Sequence, residues 1–268
     1  MDWPESVGFV GAGNMAEAIA RGLLAAGLRP DQIRASDPVE ARRDYLTREL
    51  GVETLPDNAE IAANSEVVVL AVKPQHLAAA LEGLDPSGRP LFLSIVAGCT
   101  SAILARLLGA EARFVRSMPN TPALVGSGVS AIASDSGASA ADLDRAERIL
   151  GSVGRVVRVR ESLMDAVTGL SGSGPAYAYL FIEALTEAGV REGLPADTAR
   201  ELSARTLEGA ARMVNETGEH PAVLRERVSS PGGTTVAGLE ALEAGGLRSA
   251  VLAAVRAATA RSRQLGEG

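Results

Sequence analysis

The sequence predicts a doubly wound α/β domain followed by an all-α domain. In the first part, short β-rich runs alternate with helical patterns, and two runs, Glu66–Val72 and Leu91–Val96, are almost continuously apolar. Such runs are typical of strands buried on both faces of a parallel sheet that helices cover. After about Glu161 no convincing strand follows. We therefore predict one domain at residues 1–165 and a second, helical domain at residues 166–268.

The strands and helices of the first domain are predicted from the period of the apolar residues. The strands are Ser6–Val10, Ile33–Ser36, Glu66–Val72, Leu91–Val96 and Phe114–Met118, with Val129–Ala133 and Arg155–Val159 as candidates for further strands. The helices are Met15–Ala26, Glu40–Leu50, Asn58–Ala63, Gln75–Leu81, Ser101–Leu108 and Ala140–Leu150. This alternation favours a sheet with helices on both faces.

The second domain is predicted to contain helices alone. They span Pro175–Gly193, Asp197–Thr217, Pro221–Val228, Thr234–Ala244 and Leu247–Leu265. Proline suits a first helical position, where the missing N–H has no partner to lose, and glycine suits a helix end. The first two helices carry many small residues and few large ones. We therefore expect the helical domain to share its core with another copy of the chain.

Composition excludes several classes of function. The net charge is −7 and the pI is near 5.1, which argues against a nucleic-acid surface, because such a surface needs a basic face. A local site can still be positive, so a small anionic substrate remains compatible. The sequence contains no stretch of about 18 or more apolar residues, so we predict no membrane span. The first residues lack the pattern of a signal peptide, and we expect a cytoplasmic enzyme.

Residues of reactive type are few. Cys99 is the single cysteine, so no internal disulfide can form, and we interpret it as a small buried hydrophobe rather than a nucleophile. Lys73 is the single lysine, so a mechanism that needs a catalytic lysine has one candidate. We interpret His76 and His220 as structural or solvent-exposed, and we predict no metal site.

A glycine turn near the beginning of the chain is the strongest feature of the first domain. The segment reads Val7-Gly8-Phe9-Val10-Gly11-Ala12-Gly13-Asn14-Met15-Ala16. Gly11 permits the turn, Gly13 lets the backbone approach a pyrophosphate, and Ala16 allows close packing of helix on sheet. The helix N-terminus attracts phosphates. We therefore interpret the domain as Rossmann-like and dinucleotide-binding; the alternative is a structural glycine turn in a sheet that binds no nucleotide.

The end of the second strand leaves the choice between NADPH and NADH open. Asp37 can bind the ribose 2′-OH of NADH and repel the 2′-phosphate of NADPH. Ser36 can instead donate a hydrogen bond to a phosphate, and Arg42 or Arg43 can neutralise one. In another interpretation, Asp37 only caps the following helix. The cofactor is therefore predicted as NADPH or NADH.

Four further motifs occur in order along the chain. They are Ala71-Val72-Lys73-Pro74, Met118-Pro119-Asn120-Thr121-Pro122, Ser171-Gly172-Ser173-Gly174-Pro175-Ala176-Tyr177 and Val228-Ser229-Ser230-Pro231-Gly232-Gly233-Thr234-Thr235-Val236-Ala237-Gly238-Leu239. With the glycine turn, they resemble the pyrroline-5-carboxylate reductases, and the last motif is the most specific. The resemblance runs from about Ser6 to Leu265, nearly the whole chain.

The resemblance implies reduction of 1-pyrroline-5-carboxylate to L-proline, the last step of proline synthesis, by a homodimer that is often built into a decamer. It implies that the helical domain dimerises. The cofactor contacts that it implies are Gly11, Ala12, Gly13, Asn14, Met15, Asp37, Asn58, Ala71, Val72, Lys73, Pro74 and Ala97. The substrate region that it implies comprises Val228, Ser230, Gly233, Thr234 and Thr235. Asp37 departs from relatives that carry a serine in contact with the 2′-phosphate, so the resemblance does not settle the cofactor.

The implied reaction adds hydride to the C=N carbon of a cyclic imine that also bears a carboxylate. Backbone N–H groups at the helix start after Gly232 and Gly233 are suited to that carboxylate. The Thr235 hydroxyl is the predicted catalytic group: it can hydrogen-bond the ring nitrogen and relay a proton, directly or through water. Because a threonine hydroxyl is a poor acid, we favour a positioning role for it. In the alternative interpretation, this segment is a helix cap with glycines for tight packing.

Two motifs are predicted to lie at the nicotinamide end of the cleft. The segment Ser171–Tyr177 repeats the pattern of small residues before a helix, and we include Ser173 among the substrate-binding residues. Lys73 is predicted beside the cofactor, with Pro74 starting the next helix. The alternatives are a structural turn for the first motif and an ordinary surface lysine for the second.

Two rival functions are weighed against this one. A β-hydroxyacid dehydrogenase resembles this pattern of domains but uses a lysine in its helical domain, and the chain has no lysine after Lys73. A non-catalytic dinucleotide sensor would keep the turn of Gly11–Ala16 but would not need Ser229–Thr235. An assay with NADPH and pyrroline-5-carboxylate separates the three functions.

Overall fold

One β-sheet organises the N-terminal part of the chain. The computed structural model describes residues 3–109, 111–133, 135 and 137–266, and within them the sheet has eight strands. They are β1 (Val7–Val10), β2 (Ile33–Ser36), β3 (Glu53–Leu55), β4 (Val67–Leu70), β5 (Leu91–Ser94), β6 (Arg113–Met118), β7 (Gly128–Ala133) and β8 (Gly154–Val159). Their order is β3-β2-β1-β4-β5-β6-β7-β8, so the chain winds outward in both directions from β1 and β4. The predicted doubly wound topology is confirmed.

Strands β1 to β6 run parallel, while β7 pairs antiparallel with β6 and parallel with β8. Val10, the last residue of β1, pairs with Ser36 of β2 on one side and with Leu70 of β4 on the other. The carboxyl ends of these three strands therefore meet at one edge of the sheet. In open α/β sheets, ligands bind at such an edge, where the strand order reverses.

Helices connect most strands of the N-terminal part, and one more helix follows β8. They are α1 (Asn14–Ala25), α2 (Glu40–Leu50), α3 (Asn58–Ala63), α4 (Leu77–Leu81), α5 (Ser101–Leu108), α6 (Ala140–Gly151) and α7 (Met164–Val167). The core lies on both faces of the sheet. Val67 and Val69 of β4 join one apolar cluster, while Val68 and Leu70 join the other, because successive side chains of a strand point to opposite faces. The continuous apolar run of this strand is thereby explained.

Three local features differ from the sequence-based expectation. Strand β3 is three residues long and partly exposed, and its pattern was too short to predict. Helix α4 begins at Leu77 rather than Gln75, because Pro74–His76 form a 3₁₀ turn that the His76 N–H closes on the Lys73 carbonyl. Helix α7 was not predicted, and it continues into a π-helical turn at Thr168–Gly172.

The remaining helices follow in sequence and match the predicted ones. They are α8 (Gly174–Arg191), α9 (Ala196–Thr217), α10 (Pro221–Arg227), α11 (Thr234–Ala244) and α12 (Leu247–Gly266). Gly218 ends α9 with a φ of +67°, which an L-side chain rarely adopts, and Pro221 begins α10. None of the helices in the described part of the chain is long and apolar enough to cross a membrane.

Contacts divide the chain into two units. The first comprises Met1–Ser173 with Arg256–Gly268, and the second comprises Gly174–Val255. The division predicted between residues 165 and 166 follows the change from strands to helices, and it stays a prediction. The second unit has almost no core of its own, since Ala199 is the single apolar side chain that is buried among its described residues. Its large apolar side chains are exposed instead, for example Leu180 and Leu252, at 66% and 67%.

Candidate functional site

A cleft of about 610 Å³ opens at the carboxyl ends of β1, β2 and β4. Its walls come from the glycine turn, the loop after β2, the start of α3 and the segment after β4. The lining residues are Gly11, Gly13, Asp37, Pro38, Val39, Pro56, Asn58, Ala71, Val72, Lys73, His76, Ala79 and Ala80. Lys73 is exposed and is the one lysine or arginine among these residues. The cleft therefore has the position expected of a dinucleotide site in a doubly wound sheet.

The glycine turn is shaped for close approach of a ligand. Gly11 has a φ of +95°, and a Cβ there would lie 2.8 Å from the Ala71 carbonyl oxygen, so only glycine is accommodated. Gly13 precedes α1 as its N-cap, and a Cβ there would meet no atom within 4 Å. No side chain caps this helix start among the described residues, so its N–H groups remain available to a phosphate. The turn therefore has the open backbone that a pyrophosphate-binding turn requires.

The other predicted residues of the turn have different surroundings. Ala12 is fully buried, and its backbone N–H donates to a carboxylate oxygen of Asp37. Asn14 is the exposed first residue of α1, while Met15 packs against the core. Ala12, Asn14 and Met15 are not among the residues that line the cleft, whereas Gly11 and Gly13 are. The contribution of Asn14 and Met15 to cofactor binding stays a prediction.

Asp37 lies directly beside the glycine turn. Its Oδ2 accepts the Ala12 N–H at 3.0 Å, and its Oδ1 accepts the Val39 N–H at 2.9 Å. Val39 is the N-cap of α2, and no side chain of the described residues caps this helix start, so Asp37 holds the residue before the helix and is not its cap. The carboxylate also lines the cleft, and its contact with the adenosine ribose stays a prediction.

Ser36 does not have the surroundings of a phosphate donor. Its side chain is fully buried, and its hydroxyl donates to the Phe9 carbonyl oxygen at 3.3 Å. The residue belongs to β2 and points into the protein instead of into the cleft. We correct the expectation that its hydroxyl meets a phosphate, because the sequence pattern alone does not show which face of the strand end carries the hydroxyl.

The segment after β4 and the start of α3 complete the cleft. Asn58 is the first residue of α3, and its side-chain amide donates to the Ala80 carbonyl at 3.0 Å, which fixes it at the wall. Ala71, Val72 and Lys73 line the cleft as predicted. His76 also lines it, although we predicted no functional role for this exposed residue. Its position three residues after Lys73, on a turn begun by proline, was the available signal.

Pro74 and Ala97 line a second, smaller cavity of about 160 Å³, together with Cys99 and Leu265. The structure thus places these two predicted cofactor contacts beside the main cleft rather than among its lining residues. Cys99 is buried, as predicted. Burial raises the pKa of the Cys99 thiol to about 11, so the thiol is neutral at physiological pH and a poor nucleophile.

Asn120 joins two of the sequence motifs. Its Oδ1 accepts the Val129 N–H at 2.9 Å, and its amide nitrogen donates to the Ser171 carbonyl at 3.3 Å. Ser171 belongs to the π-helical turn Thr168–Gly172, which ends at Ser173, and π-helical turns are frequent at functional sites. Both motifs are evident in the sequence, but their contact was not predicted, because 51 residues separate Asn120 from Ser171.

The substrate motif belongs to the second unit. Val228 ends α10 and is 65% exposed, and Ser230 accepts the Gly233 N–H at its carbonyl, at 2.9 Å. Gly233 is the N-cap of α11, whose first residues are Thr234 and Thr235. No side chain caps this helix start among the described residues. Its first N–H groups are therefore open to an anion. The segment is also a helix cap with a tightly packed glycine, as the alternative interpretation had it, because a Cβ at Gly233 would lie 2.5 Å from the Ser230 hydroxyl oxygen.

The described residues contain no group of three or more His, Cys, Asp or Glu side chains that could hold a metal ion. The polar groups at the cleft include the side chains of Asp37, Asn58, Lys73 and His76, and those at the start of α11 include the hydroxyls of Thr234 and Thr235.

Comparison with known proteins decides the family. Residues 161–265 match the family model described as "Pyrroline-5-carboxylate reductase dimerisation", and residues 6–98 match "NADP oxidoreductase coenzyme F420-dependent". A pyrroline-5-carboxylate reductase from Synechocystis sp. is 48% identical, over 97% of this chain and 98% of the relative. The chain belongs to the pyrroline-5-carboxylate reductase family.

Solved structures of pyrroline-5-carboxylate reductases resemble it along its whole length. The one from Coxiella burnetii is 38% identical with a TM-score of 0.92, and the match covers 98% of this chain and 99% of the other. The one from Plasmodium falciparum, solved with NADP bound, is 32% identical with a TM-score of 0.87, over 97% and 98% of the two chains. The predicted family, the two-part fold, the oxidoreductase activity and a nicotinamide cofactor are confirmed. Pyrroline-5-carboxylate reductases catalyse the last step of proline biosynthesis, and the helical part of this chain serves self-association.

Proposed function

We propose that this chain reduces 1-pyrroline-5-carboxylate to L-proline with NADPH or NADH, using the cleft at Gly11–Gly13 for the cofactor and the start of α11 for the substrate. The proposal depends on one observation: this chain has two helices, α1 and α11, that each begin after a glycine turn and have no side-chain cap among the described residues. One suits a pyrophosphate and the other suits a carboxylate.

The protein contributes binding and orientation to this reaction. When bound, the reduced nicotinamide supplies the hydride that adds to the C=N carbon. The backbone N–H groups of Thr234 and Thr235 hold the substrate carboxylate without a formal charge. The Thr235 hydroxyl hydrogen-bonds the ring nitrogen and positions it while that nitrogen carries the proton that makes the imine reactive. A threonine hydroxyl is too weak an acid to be the source of that proton.

The proposed contact residues form two groups, one that binds the cofactor and one that binds the substrate. Gly11, Gly13, Asp37, Asn58, Ala71, Val72 and Lys73 serve the cofactor in the main cleft, with Ala12, Asn14, Met15, Pro74 and Ala97 adjacent to it. Val228, Ser230, Gly233, Thr234 and Thr235 serve the substrate. Ser173 follows the turn that Asn120 holds, and we assign it to the nicotinamide end of the site.

An absorbance assay tests this proposal. The protein is mixed with pyrroline-5-carboxylate and either NADPH or NADH, the loss of the nicotinamide band is followed, and proline is measured by chromatography. We expect proline to form in a one-to-one ratio with oxidised cofactor. A parallel reaction with 3-hydroxy acids and the oxidised cofactors should give no turnover. Cofactor binding without any proline formation would contradict the proposal and favour a dinucleotide sensor.

The proposed assembly is a homodimer that can be built further into a decamer. Support comes from the second unit, which exposes large apolar side chains such as Tyr179, Leu180 and Leu252 and buries only Ala199 among its described apolar residues. A helical unit without a core gains stability by packing against a second copy. Light scattering at micromolar concentration should give at least twice the chain mass of 27.5 kDa, and a monodisperse monomer would refute the prediction.

We also propose a cytoplasmic location. The single cysteine, Cys99, is buried and free, and a chain without an internal disulfide suits a reducing compartment. A cytoplasm also supplies NADPH and NADH.

A further inference from the structure

We infer that this chain prefers NADH to NADPH and that Asp37 decides the preference. The inference deepens the proposed function, because it concerns the cofactor of the same reaction. It rests on the contacts of Asp37 itself, of Ser36, and of the two arginines that follow on α2.

The Asp37 carboxylate is fixed in the wall of the cleft. Two backbone N–H groups hold it, from Ala12 at 3.0 Å and from Val39 at 2.9 Å, one on each oxygen. A carboxylate offers about four lone-pair sites, so each oxygen keeps capacity to accept another hydrogen bond. Hydroxyl groups of the adenosine ribose are donors that suit this position, at the end of the second strand and beside the pyrophosphate turn. A phosphate, which is an acceptor and an anion, does not suit it.

Two neighbouring groups that could hold a 2′-phosphate are already engaged. The Ser36 hydroxyl is buried and donates to Phe9. The Arg42 guanidinium donates to the Ala12 carbonyl and, at 2.6 Å, to Glu17, and it lies 4.8 Å from the centre of the Tyr45 ring. These contacts with Ala12, Glu17 and Tyr45 hold the Arg42 guanidinium in place, so it is not free to bind a 2′-phosphate.

The ionised state of Glu17 maintains these contacts. Burial raises the pKa of Glu17, but hydrogen bonds from Arg42, Arg21 and Tyr45 outweigh the burial and leave the pKa below its ordinary value. Glu17 is therefore charged at neutral pH, and moving Arg42 toward a phosphate would leave this part-buried carboxylate without its strongest partner.

Arg43 is the remaining cation of this loop. One of its terminal nitrogens donates to the Asp37 carbonyl oxygen at 2.8 Å, so its charge lies close to the Asp37 carboxylate. Glu40, in the first turn of α2, adds another negative charge. Among the residues that line the cleft, Asp37 alone is acidic, so a 2′-phosphate placed there meets its carboxylate, whereas Glu40 lies outside the lining. Like charges brought together across a binding site disfavour binding strongly. We therefore expect kcat/KM to be at least about tenfold higher with NADH than with NADPH.

The test compares both cofactors in four proteins. They are the parent chain, Asp37→Asn, Asp37→Ser and the control Glu40→Gln. Asparagine keeps the size of the side chain and one acceptor oxygen but removes the charge, while serine removes both. Glutamine at Glu40 removes a charge from the same loop without changing a residue of the cleft. For each protein, kcat/KM is measured with NADH and NADPH, and the Kd values of NAD⁺ and NADP⁺ are measured by calorimetry.

We expect the parent to favour NAD⁺ and NADH, both Asp37 variants to shift the ratio toward NADP(H) by about tenfold or more, and Glu40→Gln to change it less than about threefold. The calorimetric ratio does not depend on turnover, so it still tests the inference if the chain binds cofactor but forms no proline. A parent protein that binds NADP⁺ as tightly as NAD⁺ would overturn the inference even if no variant folds. Asp37 variants whose ratio equals that of the parent would overturn the role of Asp37.

Discussion

Replacing Thr235 by alanine is expected to lower kcat/KM for pyrroline-5-carboxylate about ten- to a hundredfold while leaving the Kd of NAD(P)H nearly unchanged. The residue is the second of α11, directly after the open helix start at Gly233. Losing one hydrogen bond to a charged group costs about 1.5–3 kcal/mol. At about 1.4 kcal/mol for each factor of ten, this cost gives the stated range.

Serine at position 235 separates the hydroxyl from the methyl group. Thr235→Ser keeps the hydroxyl, so it should retain much of the activity that alanine loses. A matched control is Thr217→Ala, at the end of α9 in the same unit, where the hydroxyl donates to the Met213 carbonyl and accepts the Glu219 N–H. This variant should have the kcat/KM of the parent. Circular dichroism and light scattering establish that all three proteins keep the helical fold and the assembly.

The pair of Thr235 variants gives the decisive comparison. If alanine and serine impair the enzyme equally, the methyl group or the local fold matters and the hydroxyl does not. If both variants are as active as the parent, Thr235 lies outside the site and the substrate binds elsewhere. A change confined to the KM of NAD(P)H would assign the residue to the cofactor instead.

The part of the site that sequence predicted is the part that is local in sequence. The turn at Gly11–Gly13 needs a positive φ at Gly11 and open space beside Gly13. Glycine meets both requirements, and the two positions are only two residues apart. The apolar run at Val67–Leu70 likewise predicts a strand covered on both faces, which the two core clusters confirm. In both cases, the residues that meet the structural requirement are neighbours in the sequence, so a local pattern is enough to predict the structure.

Side-chain contacts between residues that are far apart in the sequence could not be predicted from local sequence patterns. The Asn120 side chain bonds to Val129 and to Ser171, and nothing in the Met-Pro-Asn-Thr-Pro motif indicates either partner. The direction of Ser36 was also open, because a serine at a strand end can face the core or the cleft. These features depend on the three-dimensional arrangement of elements, which local sequence does not specify.

The shortage of large apolar residues in α8 and α9 correctly indicated self-association, and this indication came from composition and not from a local motif. Composition predicted a helical part that needs a partner, and the described residues of Gly174–Val255 bury almost no apolar side chain. Composition did not indicate, however, that the end of α12 groups with the N-terminal unit, since its residues look like those of any amphipathic helix. Specific polar contacts fix that end.

Arg116 of β6 is the centre of those contacts. It is 4% exposed, and it pairs with Glu161 at 3.1 Å and with Asp165 at 4.0 Å. Asp165 accepts the hydroxyl of Ser262, near the end of α12, at 2.7 Å, and Glu161 accepts the backbone N–H of Ser101 at 2.6 Å. One buried guanidinium therefore supports a carboxylate at the start of α5 and another beside the last turns of α12.

Replacing Arg116 by methionine is expected to lower the free energy of unfolding by about 3 kcal/mol. Removing one member of a buried ion pair costs about 3–5 kcal/mol, because the partner charge is left buried without compensation. The lower end of that range applies here, since the Glu161 and Asp165 side chains remain 24% and 26% exposed. At about 2–4 °C for each kcal/mol, Tm should fall by about 6–12 °C in thermal unfolding.

A second substitution distinguishes the unpaired charge from lost packing. Glutamine at Glu161 keeps an oxygen that can accept the Ser101 N–H but carries no charge. If the cost of Arg116→Met comes from the unpaired carboxylates, adding Glu161→Gln should restore part of the lost Tm. Arg29→Ala is the control, because its pair with Asp31 is about 70% exposed on both sides and should contribute less than about 1 kcal/mol. If the Tm of Arg116→Met equals that of the control, the guanidinium does not hold this part of the fold together. If the double variant is less stable than Arg116→Met, then packing or the remaining hydrogen bonds, rather than unpaired charge, account for the loss.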